Sequence, residues 1–161
     1  MAGTVRQIAL PPGARALSTL PRIGYTDAFL AETGPVPGRT GEQWARAVLE
    51  DAPPRTRTAL TRGWFALGLR LGSPRSGQLV LGWQIRHATP DAVLLGATGR
   101  FGLSGELLFE RQQDALLFAT FVQLEHRVAR IVWARTEARH RQVVQSLLEH
   151  ASKPARLQPR P

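Results

Sequence analysis

Apolar and polar side chains alternate in step with a β-strand through much of the second half of the chain. Leu79, Leu81, Trp83, Ile85 and His87 stand two apart, as do Leu116, Phe118, Thr120, Val122, Leu124 and His126. A period of two puts each set on one face of a strand. The pattern predicts strands over 78–88, 92–98, 101–111, 115–126 and 128–134. Short breaks separate them, among them Thr89-Pro90-Asp91, Gly99-Arg100 and Gln112-Gln113-Asp114. Breaks this short demand antiparallel pairing, because a parallel return needs a long crossover. An earlier strand is predicted over 25–32, where Tyr25, Asp27, Phe29 and Ala31 share a phase. Val143, Val144, Leu147, Leu148 and Ala151 then recur at helical spacing. They predict a C-terminal helix, with Thr136 placed to cap it.

Two helices are predicted between the first strand and the rest. Thr40 and Gln43 have capping-box spacing, and Trp44, Ala47 and Val48 follow on one helical face. Pro53 and Pro54 stop that helix and can open the next, where a missing amide costs nothing. Leu60, Trp64, Leu67 and Leu71 extend the second helix, although Gly63 and Gly68 weaken it. Residues 34–39 and 72–77 read as loops, rich in proline, glycine and serine. The sum is an α+β fold in which one antiparallel sheet buries its apolar face under the final helix. Its predicted limits are 21–152, with an extended N-terminal arm over 1–20 and a disordered proline-rich tail over 153–161.

Composition narrows the function classes. The chain has no cysteine, which removes disulfides, thiolate nucleophiles and Cys-ligated zinc. No apolar run approaches the ~20 residues needed to cross a bilayer. The N-terminus lacks a continuous apolar segment of the secretory kind, so a cytoplasmic location is expected. The net charge of +9 raises nucleic acid or an anionic membrane as partners. Lys153 is the one lysine, so the basic excess is arginine, as a GC-rich coding bias produces. The arginines are scattered, and the densest groups, Arg55/Arg57/Arg62 and Arg135/Arg139/Arg141, are not continuous runs. Nucleic acid is therefore the weaker expectation.

The order strand, two helices, meander, long helix resembles the helix-grip fold of the START/polyketide-cyclase-like (SRPBCC) superfamily. Within it the chain resembles an uncharacterised bacterial family of unknown function. The resemblance rests on Tyr25-Thr26-Asp27-Ala28-Phe29, Asp91-Ala92-Val93-Leu94-Leu95-Gly96 and Ala119-Thr120-Phe121-Val122. Trp133-Ala134 and His140-Arg141 ahead of Val143-Val144 complete it. It implies a curved sheet wrapped around the C-terminal helix and a cavity for a lipid, polyketide or other apolar ligand. Some members of the superfamily are cyclases or hydratases, but no catalytic motif of theirs matches here.

The candidate ligand-binding residues are Asp27, Trp83, Ile85, His87, Phe109, Phe118, Trp133 and Arg135. The aromatic and aliphatic members would line an apolar site, and the two indole N–H groups would supply sparse polar contacts. Asp27, on the phase of Tyr25 and Phe29, would be a buried carboxylate in need of a partner, with Arg86, Arg130 or Arg135 as candidates. Glu106 and Glu110 alternate with Leu107 and Phe109 and are expected to face water. His140 and His150, about 15 Å apart along one helix, cannot share an ion. His87 and His126, at strand ends, could meet across the sheet. The glycines of 96–102 lie between strands rather than ahead of a helix, which argues against a phosphate loop. No GxSxG, HExxH or Walker pattern occurs. The expected function is binding of an apolar or amphipathic acid, without metal or organic cofactor. An enzyme in the same cavity, or a basic nucleic-acid or protein interaction module, are the alternatives.

Overall fold

The computed structural model describes residues 3–36, 38–73 and 75–153. The chain runs β1 (Val5–Gln7), α1 (Pro12–Arg15), β2 (Tyr25–Glu32), α2 (Gly41–Leu49), α3 (Pro54–Ala66), β3 (Leu79–Val80), β4 (Trp83–Ala88), β5 (Ala92–Ala97), β6 (Leu103–Arg111), β7 (Ala115–Leu124) and α4 (Arg127–Ser152). All pairings are antiparallel, in the order β1-β2-β7-β6-β5-β4-β3, and the sheet curves without closing. The expected tail, beyond Lys153, lies outside the described residues.

Each face of the sheet has its own apolar cluster. The inner face carries Phe29, Leu107, Phe109, Phe118 and Val122 against Trp44 and Val48 of α2 and Trp133, Val144 and Leu148 of α4. The outer face carries Ala28, Leu94, Leu108, Leu117 and Phe121. Alternation in the sequence thus reports two buried faces rather than one wet and one dry. The outer face is covered by the N-terminal segment, where Ala14 is buried and Ile8, Leu10, Leu17, Leu20 and Ile23 pack against the same cluster.

That cover changes the fate of Glu106. Its phase does point away from the inner core, but the N-terminal segment lies where water was expected. Glu106 is 0% exposed. Its carboxylate accepts from Ser18 Oγ at 2.6 Å, from the Thr19 amide at 3.0 Å, and from the Thr19 hydroxyl. Arg86 completes the set with an ion pair at 2.9 Å. A buried carboxylate so surrounded holds the segment to the sheet.

Two expected strands depart from the reading of the sequence. The strand expected over 78–88 is a hairpin, with β3 and β4 paired through Val80↔Trp83. Leu81 and Gly82 make the turn with φ +45° and +89°, the two left-handed residues of a type I′ loop. Leucine is a poor signal for that turn, so the alternation ran through it unseen. Between Ile85 and His87 the register shifts, a bulge that puts His87 opposite Leu94 of the outer face. His87 is exposed, and His126, exposed at the start of α4, does not meet it.

The strand expected over 128–134 is the opening of α4 instead. A strand there would need a free edge beside β7, and β7 is already flanked by β2 and β6. The β-branched residues Val128, Ile131 and Val132 therefore yield to a helix whose buried positions include Ala129, Trp133, Val144 and Leu147. Thr136 is inside this helix, its hydroxyl donating to the Val132 carbonyl at 2.7 Å. Arg130 and Arg135, expected on a strand near the pocket, lie exposed on α4.

The other helices follow their capping chemistry. Thr40 and Gln43 form the reciprocal capping box of α2. A Cβ on Gly41 would meet the Ala92 backbone at 2.7 Å, so glycine lets α2 settle against β5. Helix α3 begins at Pro54 and stops before the expected Leu67 and Leu71, because Gly68 with φ +79° terminates it.

Candidate functional site

The inner face is apolar except at one place. Strands β2 and β7 pair Asp27 with Thr120, and both side chains point toward α4. Helix α4 brings His140 down onto them. His140 Nε2 lies 3.1 Å from Asp27 Oδ2 and 3.1 Å from Thr120 Oγ1. The Tyr25 hydroxyl donates to the same Asp27 oxygen at 2.9 Å. Trp133, nearly two turns before His140, packs edge-on against Tyr25 with centroids 5.0 Å apart and lies 5.2 Å from the His140 ring. A ring of aromatic surface thus encloses one buried carboxylate.

Electrostatics at this cluster are strained by burial. Asp27 is 4% exposed, and its Oδ1 has no hydrogen-bond partner. The indole N–H of Trp133 also has none. The Tyr25 hydroxyl is pushed above the ordinary phenol value of 10.0, first by burial and then by the negative charge of Asp27, while Arg141 works against the shift. Unpaired buried polar atoms are rare and mark places where water or a ligand group belongs.

An apolar cleft of about 40 Å³ reaches this cluster. Val48 of α2, Leu60 and Trp64 of α3, Phe118 of β7 and Val144 and Leu147 of α4 are among its walls, and His140 is the polar group on its lining. Helix α3 covers it lightly. Leu60 is its one buried residue, Trp64 is half-buried, and Phe65 is 74% exposed. Trp64 meets Trp83 edge-on at 5.4 Å, tying α3 to β4.

The sequence-derived site residues scatter over this frame. Asp27 and Trp133 meet in the polar cluster, and Phe118 lines the cleft. Phe109 is buried behind Phe118, with centroids 5.1 Å apart. Trp83 is buried under Trp64 with its indole N–H unpartnered, and Ile85 packs at the core's edge. His87 and Arg135 are exposed. The partner of Asp27 is not one of the three arginines considered. Arg86 is committed to Glu106 on the outer face, and Arg130 and Arg135 point to solvent. His140 and Arg141 are what the reading missed. Treating 128–134 as a strand hid the helical spacing of Trp133 and His140, seven apart on one face. Among the described residues no three His, Cys, Asp or Glu side chains gather as a metal would require.

No protein-family model matches the chain, and no curated protein matches it. Among solved structures it is similar to the crystal structure of a protein of unknown function from Pseudomonas aeruginosa, at 17% identity and a TM-score of 0.25. The match covers 100% of this chain and 86% of the other. A TM-score that low carries no argument about fold or function.

Proposed function

We propose that the protein is a helix-grip, START-like binder of an apolar or amphipathic acid, held between the inner face of the sheet and α4. The observation that carries this reading is His140, held on Asp27 and Thr120 and standing on the wall of an apolar cleft, with Trp133, whose indole N–H is unpartnered, packed beside its ring. A ligand of this kind places its tail among Leu60, Phe118, Val144 and Leu147. Its acid group sits beside His140 and the Arg141 guanidinium, where the Trp133 N–H can also donate. The sheet order with a closing C-terminal helix supports the helix-grip comparison.

Size sets a condition on this reading. A volume of about 40 Å³ holds little more than a water molecule, whereas small-molecule pockets run to about 300 Å³ or more. Ligand entry therefore requires α3 to swing outward, and α3 is the most thinly packed of the long helices over the cleft. Native mass spectrometry of the purified protein, followed by extraction, tests the proposal. A retained amphipathic acid that is lost in Trp133→Phe and Arg141→Ala supports it. A ligand-free protein that also fails to take up added medium-chain acids overturns it.

A second reading is an enzyme in the same cleft. It is favoured by the Asp27 Oδ2–His140 Nε2 contact, since a carboxylate that holds one imidazole nitrogen can orient the other as a general base. The two readings separate on turnover: an acid that is bound but recovered unchanged favours the first, and conversion of the bound acid that His140→Gln abolishes favours the second.

A further inference from the structure

We propose that the outward face of the first half of α4 docks on an anionic lipid surface. The inward side of this stretch is set by Ala129, Trp133 and His140, which face the sheet. At 3.6 residues per turn the opposite side carries Val128, Ile131, Ala134, Arg127 and Arg135. Val128 is 64% exposed and Ile131 is 48% exposed, and Val132 beside them is also exposed. An aliphatic triad at i, i+3 and i+4 on a helix normally faces a core. Here the core lies on the other side of the helix.

The charges around this triad are uncompensated. Arg127, Arg130 and Arg135 are exposed, and none is among the ion pairs of the described residues. Solvated apolar side chains ringed by free guanidinium groups match the two needs of interfacial binding. The apolar groups enter the headgroup boundary, and the cations meet anionic lipid. Among the described residues no helix is long and apolar enough to cross a membrane.

The same features fit other partners less well. Nucleic acid would use the arginines but gain nothing from Val128, Ile131 and Val132, because stacking on bases needs aromatic or guanidinium planes. A folded protein partner would have to supply a groove shaped to this helix face and about 800 Å² of contact per side. A lipid surface needs no matching shape.

The test is co-sedimentation of the full chain with vesicles of phosphatidylcholine alone and of phosphatidylcholine with phosphatidylglycerol. The expected result is binding to the anionic vesicles that falls about tenfold or more on raising the salt several-fold, because exposed charges are screened. Ile131→Asp and, separately, Arg127→Ala with Arg135→Ala should each weaken it by about tenfold or more, on the order of thirtyfold for the two cations. Ala134→Asp, at an exposed site on the same face, repeats the test if Ile131→Asp proves unfolded by circular dichroism. Absence of vesicle binding, equal binding to both vesicle types, or binding untouched by the aspartate variants overturns the proposal. So does a duplex oligonucleotide bound as tightly at the same salt and unaffected by Ile131→Asp, which would assign the face to nucleic acid.

Discussion

His140 Nε2 stands 3.1 Å from Asp27 Oδ2, and no arginine joins them among the ion pairs of the described residues. The carboxylate is buried, so removing its partner leaves a charge with too few hydrogen bonds. His140→Leu should destabilise the fold by about 1–3 kcal/mol, the cost of an unsatisfied buried polar group. Asp27→Asn should cost less, because a neutral amide still accepts from Tyr25 and needs no counter-charge. The double variant should cost less than the two singles added, since the groups act on one another. Urea unfolding of the four proteins measures this, and strict additivity would show that the pair contributes no coupling.

Much of this arrangement was legible and one decisive part was not. The phase of Tyr25, Asp27 and Phe29 placed a carboxylate on the inner face, and Thr40 with Gln43 located α2 through its capping box. The hairpin at Leu81 was illegible because a left-handed leucine is unusual, and the alternation continued across it. Alternation gives the face of Glu106 but not its cover, since a strand's period says which way a side chain points and not what lies over it. Residues 128–134 are the least legible, because Val, Ile and Trp there imitate a strand. Only the occupancy of both edges of β7, a fact of the whole sheet, forces a helix there. His140 could not be paired with Asp27 until that helix was in place.

Tyr25 is the single tyrosine of the chain, so its ionisation can be read without interference. Its hydroxyl titrates above 10.0 in the folded state, from burial first and the Asp27 charge second. The sign follows from proton linkage. Above the unfolded value the folded chain holds a proton that the unfolded chain has released, so stability falls with rising pH. This contribution is fully present below about pH 10 and declines above it, toward the raised folded value. Tyrosinate absorbance should rise later in the native protein than in urea. Tyr25→Phe should flatten the alkaline fall in stability, and coincident titrations in the native and unfolded states would refute the burial argument.

Arg86 lies across Gly96, and a Cβ added there would collide with its guanidinium. The side chain is flexible at that end, so Gly96→Ala should fold, but the arginine must swing away from Glu106. The expected loss is about 2–4 kcal/mol, somewhat below that of a buried pair broken outright because Arg86 is partly exposed. Glu106→Ala should be at least as damaging and should loosen the N-terminal segment held through Ser18 and Thr19. Limited proteolysis within 8–23 should accelerate in both variants. Unchanged cleavage would mean that the apolar contacts of Ile8, Leu17 and Leu20 hold the segment without the ion pair.

Gly63 sits inside α3, where a Cβ would meet nothing within 4 Å. Its φ lies in the ordinary range, so alanine suits the backbone and lowers the entropy of the unfolded chain. Gly63→Ala should therefore stabilise the protein by about 0.5–1 kcal/mol. With one buried residue in its length, α3 should also show the fastest amide exchange of the long helices, ahead of α2 and the C-terminal half of α4. The alanine variant should slow that exchange in α3 alone. If α3 is the cover through which a ligand reaches His140, the same variant should slow uptake of an amphipathic acid while leaving the final occupancy little changed. Stopped-flow tryptophan fluorescence, with Trp64 and Trp133 beside the cleft, reads both quantities. Faster uptake in a more protected α3 would place the entrance elsewhere, at the Val143 side of α4 that shares the cleft wall.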